Sequence, residues 1–156
     1  MEEPFLRTMA ECYEAGISLD FVVCPDIPQS GLKSLQFSME WATGRLRSCP
    51  NLALVVQDGM TPKDITPYHL QHFKTLFIGG SLEWKWRTLE SWAKFAHYNR
   101  IDLHVGQAST TDRLIRCRNV GAKSADSVSF VRQQKWHLID NYHGNGQQQI
   151  FDNPTG

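Results

Sequence analysis

No stretch of this chain approaches the roughly 20 apolar residues of a membrane span. The opening Met1-Glu2-Glu3-Pro4 also lacks the positive start and apolar run of a secretory signal, so a cytoplasmic protein without membrane partners is expected. Cysteine is sparse. Cys12, Cys24, Cys49 and Cys117 lie far apart, and none forms the close pairs that structural zinc sites use, which excludes a zinc knuckle and a disulfide scaffold. An excess of one charge is missing too, since 16 basic and 16 acidic side chains cancel, and 41% hydrophobic residues in 156 are enough to bury a core. Disorder over the whole chain is therefore not expected.

The cancelling charges are unevenly placed. Residues 1–84 are net −4, residues 85–135 net +6 and residues 136–156 net −2, so the middle segment could face a phosphate backbone or simply be a solvated surface.

Short β-prone runs alternate with helical stripes. Residues 19–24 read as a strand closed by Pro25-Asp26, and Leu32, Leu35, Met39, Ala42 and Leu46 then recur at helical spacing. Leu52 to Val56 is a second strand, followed by a weak proline-flanked helical stretch at 65–73, and Leu76 to Ile78 is a third, ending in Gly79-Gly80. A helix over 87–98, a strand over 101–105, a helix over 111–120 capped by Thr110, Thr111 or Asp112, and a last strand over 122–128 complete the pattern.

This alternation predicts an α/β fold of parallel (β/α) units with about five strands, either an open doubly wound sheet or an incomplete TIM-type barrel. A full eightfold barrel needs about 200 residues or more. The domain is expected to span 1–135, with the Gln-, Asn- and Gly-rich residues 136–156 forming a polar, loosely ordered tail.

In parallel α/β folds ligands sit beyond the carboxyl ends of the strands, which here end at Asp26, Gln57, Gly79-Gly80, Gly106-Gln107 and Asp126. Such a set supplies what a guanine-like base requires: a carboxylate for its N–H groups, an amide, and unhindered backbone for its carbonyl. It leaves Asp126 over as a nucleophile. Taken singly, Pro25-Asp26 and Asp58-Gly59 are ordinary turns and Asp126 could equally pair with an arginine. His69 and His72 share a helical face without a further ligand and read as surface residues, whereas His104, at a strand end, reads as support for the pocket. Trp92 reads as core, while Trp84 and Trp86 could pack or stack on bases.

Five segments appear in one order: Phe21-Val22-Val23-Cys24-Pro25-Asp26, Leu54-Val55-Val56-Gln57-Asp58-Gly59, Phe77-Ile78-Gly79-Gly80-Ser81-Leu82-Glu83-Trp84-Lys85, His104-Val105-Gly106, and Gly121-Ala122-Lys123-Ser124-Ala125-Asp126-Ser127. In these the chain resembles the guanine transglycosylases, particularly the short phage-type members that exchange guanine in DNA for a 7-deazaguanine. The resemblance covers roughly residues 19–132. It implies that Asp26 reads the guanine face, Gln57 helps bind the carbonyl edge, the backbone at Gly79-Gly80 completes the pocket, and Asp126 attacks the sugar C1′. It also implies a covalent two-step displacement that needs no cofactor, and the host cytoplasm as location. Lys85, Arg87, Arg113, Arg116 and Arg118 could hold phosphates of a DNA substrate or be solvated outer-helix charges, and of these Lys85 and Arg113 are assigned as contacts.

The family's second aspartate, followed by serine, two glycines and phenylalanine, has no counterpart here. The chain therefore reads as the C-terminal part of such an enzyme, and a second polypeptide is expected to complete the barrel. No cysteine follows Cys117, so no zinc is expected, which favours DNA over tRNA as the substrate. A base-binding or assembly subunit that has lost catalysis is the alternative, and a tRNA-guanine transglycosylase a further one.

Overall fold

A computed structural model describes residues 2–127, with side chains from Pro4 onward. Extension stops where the sequence stops favouring it. Strand β1 (Val22–Val23) gives way to Pro25, β2 (Leu52–Val56) to Gln57-Asp58-Gly59, β3 (Thr75–Ile78) to Gly79-Gly80, β4 (Asp102–Val105) to Gly106, and β5 (Ser124–Ala125) to Asp126. The helices are α1 (Glu2–Glu14), α2 (Leu32–Thr43), the short α3 (Pro67–Leu70), α4 (Leu82–Asn99) and α5 (Thr111–Asn119). A 3₁₀ turn at Pro62–Asp64 precedes α3.

All neighbouring strands pair in parallel and lie in chain order, β1-β2-β3-β4-β5. A doubly wound sheet reverses its order partway. When every right-handed crossover instead steps the same way, the connecting helices all fall on one face. The core obeys this: Leu52, Leu54 and Val56 of β2, Leu76 and Ile78 of β3, and Leu103 and Val105 of β4 join Leu35, Trp41, Leu89 and Trp92 of the helices in one buried cluster. Trp84 and Trp92 are both buried there, and Trp86 packs at its margin.

The other face of the sheet carries different chemistry. Val55, Phe77, His104 and Ser124 stand side by side in one register row across β2 to β5. The rings of Phe21, just ahead of β1, and His104 approach to 5.0 Å although β2 and β3 lie between them. On a flat sheet that span would be roughly 14 Å at the usual spacing between strands. The sheet therefore curls toward this face, and the described residues form an all-parallel α/β half-barrel with its helices outside.

Several elements differ from the sequence expectation: β1 and α3 are shorter than the expected 19–24 and 65–73, and two helices depart further. Helix α1 was not anticipated, although Phe5, Leu6 and Met9 recur at helical spacing and pack on the core. Helix α4 starts at Leu82 rather than 87, because the Ser81 hydroxyl accepts the Trp84 N–H and caps it. The expected tail, 136–156, lies outside the described residues. Among those described, no helix is long and apolar enough to cross a membrane.

Candidate active site at the carboxyl ends of the strands

His104 points from β4 into the concave face, with its side chain only 7% exposed, and reaches the next strand through both nitrogens. Nδ1 lies 2.7 Å from the Ser124 hydroxyl and Nε2 3.0 Å from Asp126 Oδ2. The other oxygen of Asp126 accepts the Gln107 backbone N–H at 3.0 Å, in a turn where Gln107 adopts φ 61°. The His104 hydrogen bond holds the Asp126 carboxyl below its ordinary range, with help from the Gln107 N–H and the charges of His104 and Lys85 against the opposing effect of burial. Asp126 is thus a carboxylate at neutral pH. Because a carboxylate only accepts, His104 donates to Asp126 from Nε2.

Lys85, in the first turns of α4, is 1% exposed and donates from Nζ to the Gly106 carbonyl at 2.6 Å. Burial pushes its pKa down, while the Asp126 charge pulls it up. Lys85 lines the cleft together with Asp126. Asp58, after β2, receives the Ser81 N–H at 2.7 Å and the Ser81 hydroxyl at 2.5 Å, and so ties the glycine turn to the neighbouring strand end.

Between these groups lies a cleft of about 580 Å³ lined by Phe77, Gly79, Gly80, Lys85, Gly106 and Asp126, among others. That volume suits a small heterocyclic ligand. Gly80 adopts φ +73°, and a Cβ there would fall 2.5 Å from Asp58 Oδ2 and 2.9 Å from the Trp84 ring. Gly80→Ala is therefore expected to destabilise the fold by about 1–3 kcal/mol, read as a lower denaturation midpoint at unchanged slope.

Gln57, 1% exposed, spends its whole amide inside the protein. Its Nε2 donates to Asp26 at 3.0 Å and to Ser34 Oγ at 2.7 Å, and its Oε1 accepts the Gln29 N–H. It positions Asp26 instead of presenting a free edge. Asp26 lines a separate cavity of about 480 Å³ with Phe5, Phe37, Trp41 and Cys24. Burial raises the Asp26 pKa, against the Gln57 hydrogen bond, which lowers it. A carboxyl raised on folding weakens the fold once pH exceeds its unfolded value. Asp26→Asn is accordingly expected to raise the melting temperature at pH 7, with an advantage that fades below the ordinary carboxylate range.

Comparison with protein-family models, with curated proteins and with solved structures finds no match. The site is therefore defined by its own geometry. All the expected residues lie at the carboxyl end of the sheet, but they fall into two groups. Gly79, Gly80, Lys85 and Asp126 share the larger cleft, whereas Asp26 and the Gln57 that holds it stand beside it at the β1 end. Arg113 lies at the cleft's outer margin, its Nη1 3.1 Å from Ser109 Oγ, and Ser109 lines the cleft.

Ser124 and Asp58 were not read as site residues. Ser124 is two residues before Asp126, so strand alternation places both on the inner face, a signal that the sequence carried. The Asp58–Ser81 link joins residues 23 apart and has no local signature. Among the described residues, no group of His, Cys, Asp and Glu could hold a metal ion.

Proposed function

We propose that this chain is a base-exchanging pentosyltransferase of the guanine-transglycosylase kind, acting on DNA, whose half-barrel belongs to a TIM-type barrel. The observation that carries this reading is the Asp126 carboxylate. It is ionised, oriented through both oxygens, half-exposed, and open to a cleft of nucleobase size beside a buried ammonium. A charged oxygen held in this way is equipped to attack an electrophilic sugar carbon.

In the first step an Asp126 oxygen bonds to C1′ as the glycosidic C–N bond breaks. The guanine leaves with the bonding electrons and takes up a proton from solvent water. In the second step the ring nitrogen of an incoming 7-deazaguanine gives its proton back to solvent, bonds to C1′ and returns the electron pair to Asp126, so the exchange as a whole neither consumes nor releases a proton. Gly79 and Gly80 present backbone to the cleft, and the His104 hydrogen bond, with the Lys85 charge as a lesser aid, keeps Asp126 ionised. The two displacements together retain configuration at the sugar and consume neither ATP nor a redox cofactor. DNA is preferred to tRNA on the sequence resemblance, and the same resemblance suggests a phage protein working in the host cytoplasm.

One observation favours a second reading, a base-binding or assembly subunit that works with another polypeptide. The Gln57 amide is fully committed inside the protein, and Asp26 opens to a different cavity from Asp126. A denaturing-gel trap separates the two. The protein is mixed with guanine-containing DNA, or separately with tRNA, together with a 7-deazaguanine analogue that stalls exchange. An adduct that depends on Asp126 supports the enzyme, and DNA or base binding without an adduct supports the subunit.

A further inference from the structure

Two arginines of α5 flank the indole of Trp86, and the fold treats them differently. Arg116, 5.9 Å from the ring centroid, is neutralised by Glu90 through two hydrogen bonds of 2.8 Å. Arg113, 5.3 Å from the same ring, is half-buried and has no carboxylate partner among the described residues. Its one side-chain hydrogen bond there is the 3.1 Å donation to Ser109, a residue that lines the cleft of Asp126. A partly desolvated guanidinium is costly unless paired, and Arg116, less than one turn further along α5, is paired with Glu90 of α4.

We propose that Arg113, braced on Trp86 and steered by Ser109, is a phosphate-binding side chain at the mouth of the cleft. The indole face and the Ser109 hydrogen bond together restrict the guanidinium, so less freedom is lost when its fork meets two phosphate oxygens. The site's own anion, Asp126, is engaged by His104 and Gln107, and leaves Arg113 unneutralised. Arg113 lies in the first turn of α5, whose dipole adds attraction for an anion. Which phosphate it holds rests on the reading above: the diester flanking the nucleoside whose sugar faces Asp126.

The test pairs changes in the protein with changes in the ligand. Binding of a short single-stranded deoxyoligonucleotide with one guanosine is measured for wild type, Arg113→Gln and Arg116→Gln, with each flanking linkage in turn replaced by an uncharged methylphosphonate. For wild type, one neutral linkage is expected to weaken binding about tenfold. Arg113→Gln should cause the same loss alone and no further loss with that linkage, while Arg116→Gln keeps the full tenfold response. Deoxyguanosine monophosphate should likewise outbind deoxyguanosine in wild type but not in Arg113→Gln.

Equal response of wild type and Arg113→Gln to every neutral linkage, or no preference of wild type for the phosphate-bearing probes, overturns the proposal. The methylphosphonate arm leaves the protein untouched, so a folding defect in a variant cannot mimic either result. The outcomes also separate this inference from the proposed function. Arg113-dependent phosphate binding without any Asp126 adduct leaves the phosphate site standing and sinks the enzyme. An adduct formed equally well by Arg113→Gln does the reverse.

Discussion

Asp126→Asn is expected to abolish the covalent adduct and to lower base exchange by at least about a thousandfold, while DNA binding survives. The substitution keeps shape and removes only the charge and one acceptor. Its amide oxygen can still receive either the His104 Nε2–H or the Gln107 N–H, but its NH₂ then faces the other donor, which costs about 1–3 kcal/mol. The loss should therefore appear in kcat, with a circular dichroism spectrum like that of wild type. A normal exchange rate in this variant would remove Asp126 from the chemistry altogether.

The same carboxyl sets a pH dependence. Its pKa is depressed in the folded state, chiefly by His104, so its contribution to stability is present above the unfolded value and is lost as pH falls through the folded one. The acid limb of the exchange rate should accordingly lie below the ordinary carboxylate range, and His104→Ala should move that limb upward.

Trp92→Ala is expected to cost about 3–5 kcal/mol, a large share of the 5–15 kcal/mol that holds a typical domain. Trp92 is fully buried on the inner side of α4, with Trp84 at 6.2 Å and Phe95 at 5.9 Å between ring centroids. The Trp84 ring in turn lies where a Cβ on Gly80 would stand, so a void at Trp92 reaches the glycine turn of the cleft through a single intermediary. Trp92→Phe should cost less than about 1.5 kcal/mol, because the indole Nε1 has no hydrogen-bond partner to lose. Denaturant titration of both variants checks the pair, and similar losses for the two would show that the indole, not the volume, matters.

Much of the fold was legible because it is local. Strand β2 falls on Leu52–Val56 as its apolar run indicates, and α5 begins after Thr110 as its cap predicts. Strand β1 shrank from six expected residues to Val22–Val23, where the ladder toward the β2 segment includes the Val22 N–H to Asn51 and the Cys24 N–H to Ala53, before Pro25-Asp26 turns the chain away. Strand order was not legible, since nothing local says to which side each crossover steps. For the site, the chosen residues all lie at the carboxyl end of the sheet, but sequence could not separate Asp26 from Asp126. That division depends on how Gln57 turns inward to Ser34 and on where α1 packs, which are both long-range outcomes.

Strands laid down in chain order mean that each (β/α) unit touches mainly the units next to it in the chain, and this makes cooperativity nearly one-dimensional. Folding can then nucleate in the central β2-β3-β4 layer through short-range closures and spread outward, with amide hydrogen exchange slowest in the middle and fastest at the margins. The two outermost described strands are two residues each, and Asp26 and Asp126 stand at their ends. The two acids therefore stand at the two margins of the described sheet. A ligand that engaged both would clamp the two margins together, and would slow exchange across the whole sheet without touching its centre.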